Sequence, residues 1–293
     1  MDFLLWLQQI RTPVIEDIAL VISLLCDKIL IMLVFCWIFW CRDKRSAYGL
    51  ALSFAISGIM VQGLKLSLRV NRPFIRDSRI KPVDRALETA TGYSFPSGHT
   101  QIATSLLGYA ALLVKNNAVR ILSVLMIALV MLSRMVLGVH TPLDVTVSFL
   151  ITAVTAFAVR AVLNKDGKVG LLPGLCVSVA FFAYSIFLVL SGRVEYALAH
   201  DGIVTSIVGI AFFVCRYIES NFIRFDPAAT FSGKSGIGHQ LLKFAVGFVC
   251  LIAIYLGLGC FDNAVMDGIK YVAVFTWICA LYPLVIKKLC KRV

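Results

Sequence analysis

Two of the four histidines in this 293-residue chain stand beside residues that suit a bound anion. His99 ends the run Pro96-Ser97-Gly98-His99. Proline disfavours a helical conformation in the residue before it, and Ser97 is a favourable N-cap, so a helix is predicted from about Gly98. The start of a helix offers unpaired backbone N–H groups and a positive dipole end, which suit phosphate. Gly98 allows close backbone approach, and His99 would lie over the same anion.

The second histidine, His140, comes immediately before a predicted helix start at Thr141-Pro142-Leu143-Asp144. Thr141 would be the N-cap, Pro142 the first helical residue and Asp144 the acid of a capping box. Asp144 could accept one imidazole N–H of His140, which would fix the tautomer and leave the other nitrogen as a nucleophile or base. The alternative is that Asp144 only caps its helix and His140 is a buried histidine without a chemical role.

Three basic residues could hold an anion beside these histidines. Lys65 and Arg72, the latter followed by Pro73, come at the end of one apolar segment, and Ser133-Arg134 ends another. Ionisable residues at the ends of such segments are costly to place in a membrane and are usually functional. Lys65 taken alone could instead extend its amine to the membrane surface.

The composition indicates that most of this chain is surrounded by lipid. Hydrophobic residues make up 60% and charged residues 15%, with a mean hydropathy of +0.90. Soluble domains are about 45–50% apolar and about 25% charged, so the excess is too large for an ordinary core. The net charge of +12 then indicates basic cytoplasmic loops and an anionic partner, rather than nucleic acid.

The apolar segments of the sequence predict an all-α, polytopic transmembrane bundle of eight or nine spans, since a span needs about 20 apolar residues. The first candidate could instead be an interfacial helix followed by a short span, because Asp27 and Lys28 lie in its middle, and Phe3 to Leu7 form an amphipathic lead-in. The candidates are 15–41, 46–68, 99–114, 118–138, 143–163, 170–191, 202–217, 242–261 and 269–287.

The distribution of lysine and arginine predicts the orientation of the chain. Basic residues follow alternate spans, which places those loops and the C-terminus in the cytoplasm. The loop 69–98 lies on the opposite side and is nevertheless rich in arginine and lysine, so it is either a solvated loop or part of an anion site. Lys65, His99 and His140 all fall on this outer side, which predicts an extracytoplasmic site in a multi-pass cell-membrane protein.

Three motifs together resemble the signature of the type 2 phosphatidic acid phosphatase family, which is related in fold to the vanadate-dependent haloperoxidases. The motifs are Lys65-x6-Arg72-Pro73, Pro96-Ser97-Gly98-His99 and Ser133-Arg134-x5-His140-x3-Asp144, in that order. The resemblance implies a phosphatase-type helical core at 45–165. It would follow an N-terminal interfacial helix and first span at 1–44 and precede additional transmembrane helices of unknown role at 166–293.

The resemblance also implies a role for each motif residue. His140 would attack phosphorus and form a phosphohistidine, Asp144 would orient His140, and His99 would protonate the leaving oxygen and then activate water. The phosphate oxygens would be held by Lys65, Arg72, Arg134 and the amides of Ser97 and Gly98, with Pro73, Pro96 and Ser133 supporting the motifs. No metal or cofactor is implied, and the sequence contains no compact carboxylate cluster for magnesium and no His/Cys set for zinc.

The implied activity is hydrolysis of a phosphate monoester or diphosphate of a lipid that remains in the bilayer. Undecaprenyl diphosphate is the first candidate, since Arg76, Arg79, Lys81 and Arg85 would suit a diphosphate, although Asp77, Asp84 and Glu88 could neutralise them. The alternatives are phosphatidate, phosphatidylglycerol phosphate, a sphingoid base phosphate or a sugar phosphate. A lipid phosphotransferase and a transporter or flippase with a vestigial site are rival functions, and the sequence specifies no oligomeric state.

Overall fold

The computed structural model describes residues 1–24, 28–163, 171–261 and 263–291, and its regular secondary structure is helical. Apart from a bridge between Thr230 and Lys291, these ranges contain no strand. The predicted all-α fold is therefore confirmed. The helices, in chain order, are α1 Asp2–Ile10, α2 Pro13–Leu24, α3 Lys28–Cys41, α4 Lys44–Leu68, α5 Pro73–Arg76, α6 Asp84–Leu87, α7 Gly98–Ala103, α8 Tyr109–Leu113, α9 Asn117–Val136, α10 Pro142–Val162, α11 Leu171–Leu190, α12 Tyr196–Ile218, α13 Ile237–Gly259, α14 Ala264–Thr276 and α15 Tyr282–Leu289.

Three π-helical turns extend or join these helices. Thr104–Gly108 joins α7 to α8, Glu219–Ile223 extends α12, and Trp277–Leu281 joins α14 to α15. In the described residues, seven helical stretches are long and apolar enough to cross a membrane. They are Lys44–Arg76, Asn117–Val136, Pro142–Val162, Leu171–Leu190, Tyr196–Ile223, Ile237–Gly259 and Ala264–Leu289.

The two other predicted spans have a different form. The segment predicted at 15–41 contains two helices, α2 with 12 residues and α3 with 14, and Asp27 and the side chain of Lys28 lie outside what the structure describes. The segment predicted at 99–114 is the stretch from α7 to α8, which is shorter than the length that a full span needs. The helical stretch from Gly98 to Leu113 agrees with the predicted bounds to within one residue, and residues 25–27 of the first segment lie outside what the structure describes.

The outward faces of the long helices are apolar, as expected of a multi-pass membrane protein. On α9 the exposed side chains include Ile121, Leu122, Val124, Leu125, Leu129 and Leu132. A contiguous apolar surface of this kind is rare on soluble monomers, and lipid tails cover it without cost.

The chain divides into two compact units. The first comprises Met1–Met32, Gly49–Leu163 and Tyr184–Ile203, and the second comprises Leu33–Tyr48, Asn164–Ala183 and Val204–Val293. The predicted boundary between 165 and 166 lies outside the described ranges. The first unit thus contains a short segment, Tyr184–Ile203, from the predicted additional helices.

The N-terminal helices of the first unit support the loop that follows α4. In α1, Leu4 and Leu7 are buried while Phe3 and Trp6 are exposed, and α2 packs along α9. An apolar cluster joins α1 and α2 to the loop and to the end of α9, and comprises Leu4, Leu7, Ala19, Ile80, Val83, Ala86, Val136, Leu137 and Val139. The N-terminal helices, the loop, the end of α9 and the residues just after it are therefore held together by apolar packing.

In the second unit, paired charged groups fix the segment after α12. Lys44 pairs with Glu219 at 2.8 Å, and the hydroxyl of Tyr48 donates to the same carboxylate. The amine of Lys243 donates to the carbonyls of Pro227 and Ala229, each at 2.7 Å. These contacts satisfy groups that would be costly to bury unpaired.

Candidate active site

The start of α10 forms the predicted capping box. Thr141 Oγ1 accepts from the backbone N–H of Asp144 at 3.3 Å, and Asp144 Oδ2 accepts from the backbone N–H of Thr141 at 2.7 Å. The same Oδ2 atom lies 3.5 Å from Nδ1 of His140. Asp144 therefore caps its helix and also lies close to the imidazole of His140.

Ser94 gives Asp144 a further contact that the sequence did not indicate. Its hydroxyl donates to Asp144 Oδ2 at 2.7 Å, and both side chains are buried. Together with the Thr141 amide, this bond fixes the carboxylate against His140. Ser94 lies in an irregular loop and belongs to no motif, so no local signal in the sequence could have identified it.

Arg72 determines which nitrogen of His140 carries the proton. Its Nη1 lies 3.0 Å from His140 Nε2. A guanidinium has donors and no acceptor, so Nε2 must accept and the proton is assigned to Nδ1, on the side of Asp144. Burial lowers the pKa of His140 well below its usual range, and the nearby cations Arg72, Arg134 and Lys65 lower it further. His140 is thus neutral, with a lone pair on Nε2.

Backbone carbonyls hold the guanidinium of Arg72 on its other sides. Nε donates to Gly92 O at 3.2 Å, Nη2 to Thr91 O at 2.6 Å, and Nη1 also to Val139 O at 3.1 Å. Arg72 is the N-cap residue of α5, and Pro73 is the buried first residue of that helix. The rigid turn at Arg72-Pro73 directs the side chain towards His140.

Lys65 reaches the same loop from the last turns of α4. It is buried, and its Nζ donates to the carbonyl of Tyr93. The carbonyls of residues 91 to 93 therefore organise both Lys65 and Arg72. The predicted cations of the first motif converge on one short loop segment.

Arg134 is fully buried at the end of α9, and only some of its hydrogen-bond donors have acceptors in the described ranges. Nη1 donates to Ser23 Oγ at 2.7 Å and lies 3.5 Å from Thr89 Oγ1. Nε and Nη2 have no hydrogen-bond partner among the described residues. Buried donors without acceptors are costly, and a phosphate oxygen would satisfy both. The neighbouring Ser133 instead donates to Val130 O at 2.8 Å, within its own helix.

The start of α7 is fixed to the start of α10. Ser97 is the N-cap, and its hydroxyl accepts from the Thr100 amide at 3.4 Å. The amide of Ser97 donates to the carbonyl of Asp144 at 3.0 Å, and the hydroxyl of Ser148 donates to the carbonyl of Ser97 at 2.6 Å. The amide predicted to bind phosphate is therefore engaged with the carbonyl of Asp144, because the polypeptide itself supplies a nearby acceptor.

Gly98 and His99 follow as the first residues of α7, after the Phe95–Pro96 bond, which is cis. No atom lies within 4 Å of the position that a Cβ of Gly98 would occupy, so the backbone is open to close approach there. His99 is half-buried in the first turn. Since the amide of Ser97 bonds to the carbonyl of Asp144, helices α7 and α10 begin side by side.

The surplus basic residues of the loop after α4 are partly neutralised. Arg79 forms two hydrogen bonds with Asp77, at 3.0 and 2.8 Å, and Arg85 pairs with Asp17. The Arg79 hydrogen bonds hold the pKa of Asp77 at about 2. These pairs favour the interpretation of Arg79 and Arg85 as solvated loop residues.

The site brings together a neutral imidazole, a carboxylate behind it and three cations, which is an arrangement suited to phosphoryl transfer. Among the residues that the structure describes, no cluster of three or more His, Cys, Asp or Glu side chains could hold a metal ion.

Comparison with known proteins places this chain among characterised families. The PAP2 superfamily model matches residues 46–168, and the model of the PAP2 superfamily phosphatase transmembrane extension matches residues 202–291. An undecaprenyl-diphosphatase of Sulfolobus acidocaldarius is 31% identical over 117 residues, which are 40% of this chain and 54% of that relative. The chain thus spans about half the length of this curated relative, and no solved structure matches it. Since both models describe one superfamily and together match most of the chain, the protein belongs to the PAP2 superfamily.

Proposed function

We propose that this protein is a membrane phosphatase that hydrolyses a phosphate monoester or diphosphate of a lipid through a phosphohistidine on His140. The observation that carries the proposal is the contact between His140 Nε2 and Arg72 Nη1, at 3.0 Å, beside unpaired donors of Arg134. It combines a neutral nucleophile with cations that can bind a phosphate.

In the proposed reaction, a phosphate oxygen draws the Nη1 donor of Arg72 away from His140 and so exposes the lone pair of Nε2. Nε2 attacks phosphorus, and the bond from phosphorus to the leaving oxygen breaks as His99 donates its proton to that oxygen. Asp144 stabilises the resulting positive charge on the imidazole ring. His99 then removes a proton from water, which attacks the phosphohistidine and releases phosphate.

The cations supply the electrostatic part of this catalysis. Charge in the transition state is spread over the three equatorial oxygens, and fixed donors aimed at them are the dominant contribution to phosphoryl transfer. Lys65, Arg72 and Arg134 are buried and already oriented by the protein, so little reorganisation is needed when substrate binds. The chemistry requires no metal in this proposal.

Undecaprenyl diphosphate is the first candidate substrate. The similarity to an undecaprenyl-diphosphatase of Sulfolobus acidocaldarius supports this candidate. Arg76 and Lys81 are exposed in the loop after α4, where they could meet a second phosphate. Phosphatidate, phosphatidylglycerol phosphate and sphingoid base phosphates are the alternative substrates.

The proposed location of the site is the extracytoplasmic face, with the C-terminus in the cytoplasm. The excess of lysine and arginine in the loops at the opposite ends of the spans supports this orientation. A reporter domain that fluoresces only in the cytoplasm, fused after Val293, tests it. Fluorescence is expected, and a dark but folded fusion would reverse the orientation.

The activity is tested by phosphate release from purified protein in detergent, with EDTA present. The substrate panel contains undecaprenyl diphosphate, phosphatidate, phosphatidylglycerol phosphate, sphingosine phosphate and glucose phosphate. We expect release that persists in EDTA and disappears in His140→Ala, while His239→Ala, which alters a histidine of α13, retains it. Loss in EDTA would contradict metal independence. Transfer of phosphate to an added alcohol in preference to water would indicate a phosphotransferase.

A further inference from the structure

The segment Tyr184–Ile203 lies outside the region that matches the PAP2 superfamily model, yet it belongs to the same compact unit as the site. Tyr184 Oη lies 3.0 Å from Ser67 Oγ, and Arg69 Nη1 donates to the carbonyl of Arg193 at 3.3 Å. The segment therefore packs against the end of α4 and the loop that follows. It contributes one acidic side chain, Asp201, to the surroundings of the phosphate cations.

Asp201 is connected to Arg72 through one residue. The hydroxyl of Thr91 donates to Asp201 Oδ2 at 2.6 Å, and the carbonyl of Thr91 accepts from Arg72 Nη2 at 2.6 Å. Arg72 in turn contacts His140 Nε2 at 3.0 Å. Thr91 lies in an irregular loop, between the end of α6 and the start of α7, where no helix fixes its position. Its bond to Asp201 is one of the side-chain contacts that hold this part of the loop.

The carboxylate of Asp201 also acts on the cations by its charge. It interacts electrostatically with both Lys65 and Arg72. The site places three buried cations close together, and Asp144 is the carboxylate that faces His140. A second carboxylate reduces the mutual repulsion of the cations, and it also weakens their attraction for a bound phosphate.

We propose that Asp201 is a positioning residue of the phosphate site, which holds Arg72 in place through Thr91 and limits the affinity of the site for phosphate. The inference rests on the phosphate-binding part of the proposed function. The inference assigns a role to a residue of the helices that follow the phosphatase domain. The hydrogen bond of Asp201 to Thr91 fixes the position of Arg72, and the charge of Asp201 sets the affinity of the site for phosphate.

Three variants separate these two effects. Thr91→Val removes the hydrogen bond and keeps the charge, and we expect kcat to fall about five- to tenfold, as for the loss of one hydrogen bond. Asp201→Asn keeps an acceptor and removes the charge, so orthophosphate should bind about five- to tenfold more tightly, with a smaller loss of kcat. Asp201→Ala should combine the loss of kcat with tighter product inhibition.

The double variant Thr91→Val/Asp201→Ala tests whether both residues affect Arg72 through the same hydrogen bond. Its kcat should match that of Asp201→Ala alone, because residues in one hydrogen-bonded chain are not additive. Glu195→Gln is the matched control, since it removes an exposed carboxylate of the same segment, and it should behave as wild type. Melting temperatures within a few degrees of wild type would exclude unfolding as the cause.

Orthophosphate binding, measured by calorimetry on the whole protein in detergent, separates this inference from the proposed function. If wild type releases no phosphate from any lipid but Asp201→Asn binds orthophosphate more tightly and Thr91→Val more weakly, the inference stands and the hydrolase proposal fails. If wild type is an active phosphatase and neither variant changes kcat or orthophosphate affinity, the inference is wrong. The inference would also be wrong if the loss of kcat in the double variant equalled the product of the losses in Thr91→Val and Asp201→Ala.

Discussion

Nε2 of His140 and Nη1 of Arg72 lie 3.0 Å apart, so a cation covers the nitrogen that we propose as the nucleophile. The contact directs the imidazole proton to Nδ1, where Asp144 Oδ2 lies 3.5 Å away. That distance is longer than an optimal hydrogen bond, and such bonds often shorten only when the reacting complex forms. In the proposed reaction, an arriving phosphate competes for Arg72 and so exposes Nε2 when a substrate is present.

Asp144→Asn separates the capping role of this residue from its catalytic role. Asparagine can still accept from the amide of Thr141, so the helix start and the melting temperature should change little. It cannot stabilise a positive imidazole ring, so we expect kcat to fall at least about 100-fold. The measurement is phosphate release together with a melting curve. Normal turnover would show that Asp144 only caps its helix.

Arg134→Lys should lower kcat/KM about 100- to 1000-fold, which is the usual cost of losing one preorganised transition-state donor. The guanidinium of Arg134 is anchored by Ser23 while two of its donor atoms have no partner among the described residues. A lysine ammonium cannot make the anchor and present a planar fork at once. Arg120→Lys, which alters an exposed arginine of the same helix α9, should have little effect. Equal activities of the two variants would contradict a phosphate-binding role for Arg134.

The pH dependence should reflect the lowered pKa of His140. Burial and then the cations Arg72, Arg134 and Lys65 disfavour the imidazolium, so the ring stays neutral and nucleophilic below the usual histidine pKa of about 6.5. Removing one of these cations should change the pKa of His140 in the opposite direction. Arg72→Gln should raise the pKa of His140 and move the acidic limb of kcat/KM to higher pH.

The test compares normalised pH profiles on one substrate, so that ionisation of the substrate cancels between variants. Arg79→Gln removes an exposed arginine that pairs with Asp77, and its profile should coincide with that of wild type. An acidic limb that stays in place in Arg72→Gln would mean that this limb reports another group.

The features predicted from the sequence are the local ones. The N-cap at Ser97 and the capping box of Thr141 and Asp144 depend on residues within one turn, so their spacing alone identified them. The contact of Arg72 with His140 joins residues 68 positions apart, and that of Arg134 with Ser23 joins residues 111 apart. The motifs indicated that these residues share a site, but only the packed structure shows which atoms meet.

The partners that the sequence missed are small polar residues and backbone carbonyls. Ser94, Thr91 and Ser23 hold Asp144, Arg72 and Arg134 in place, and serine and threonine are common enough in loops and helices to carry no distinctive signal. The amide of Ser97 was assigned to phosphate by the general property of helix starts, whereas the structure engages it with the carbonyl of Asp144. The tertiary contact with Asp144 thus occupies the amide that local structure alone would leave for an anion.

His99→Ala should affect substrates according to their leaving groups. If His99 protonates the leaving oxygen, an alkyl phosphate should lose far more rate than an aryl phosphate, whose phenolate departs without a proton. General acid catalysis contributes about 10²- to 10⁴-fold, which bounds the difference. The rate of leaving-group release for a series of phosphates provides the measurement, and His239→Ala is the control. Equal losses across the series would contradict an acid role for His99.

The most direct test of the account is to trap the phosphorylated protein. His99→Ala is mixed with a radiolabelled aryl phosphate and quenched within one turnover, since this variant should still form the phosphohistidine and should release it slowly. We predict about one equivalent of acid-labile label on the protein, located on the peptide that contains His140. The label should be absent from the double variant His99→Ala/His140→Ala. Leaving-group release without protein-bound label, or label on another residue, would contradict the proposal that His140 is the nucleophile.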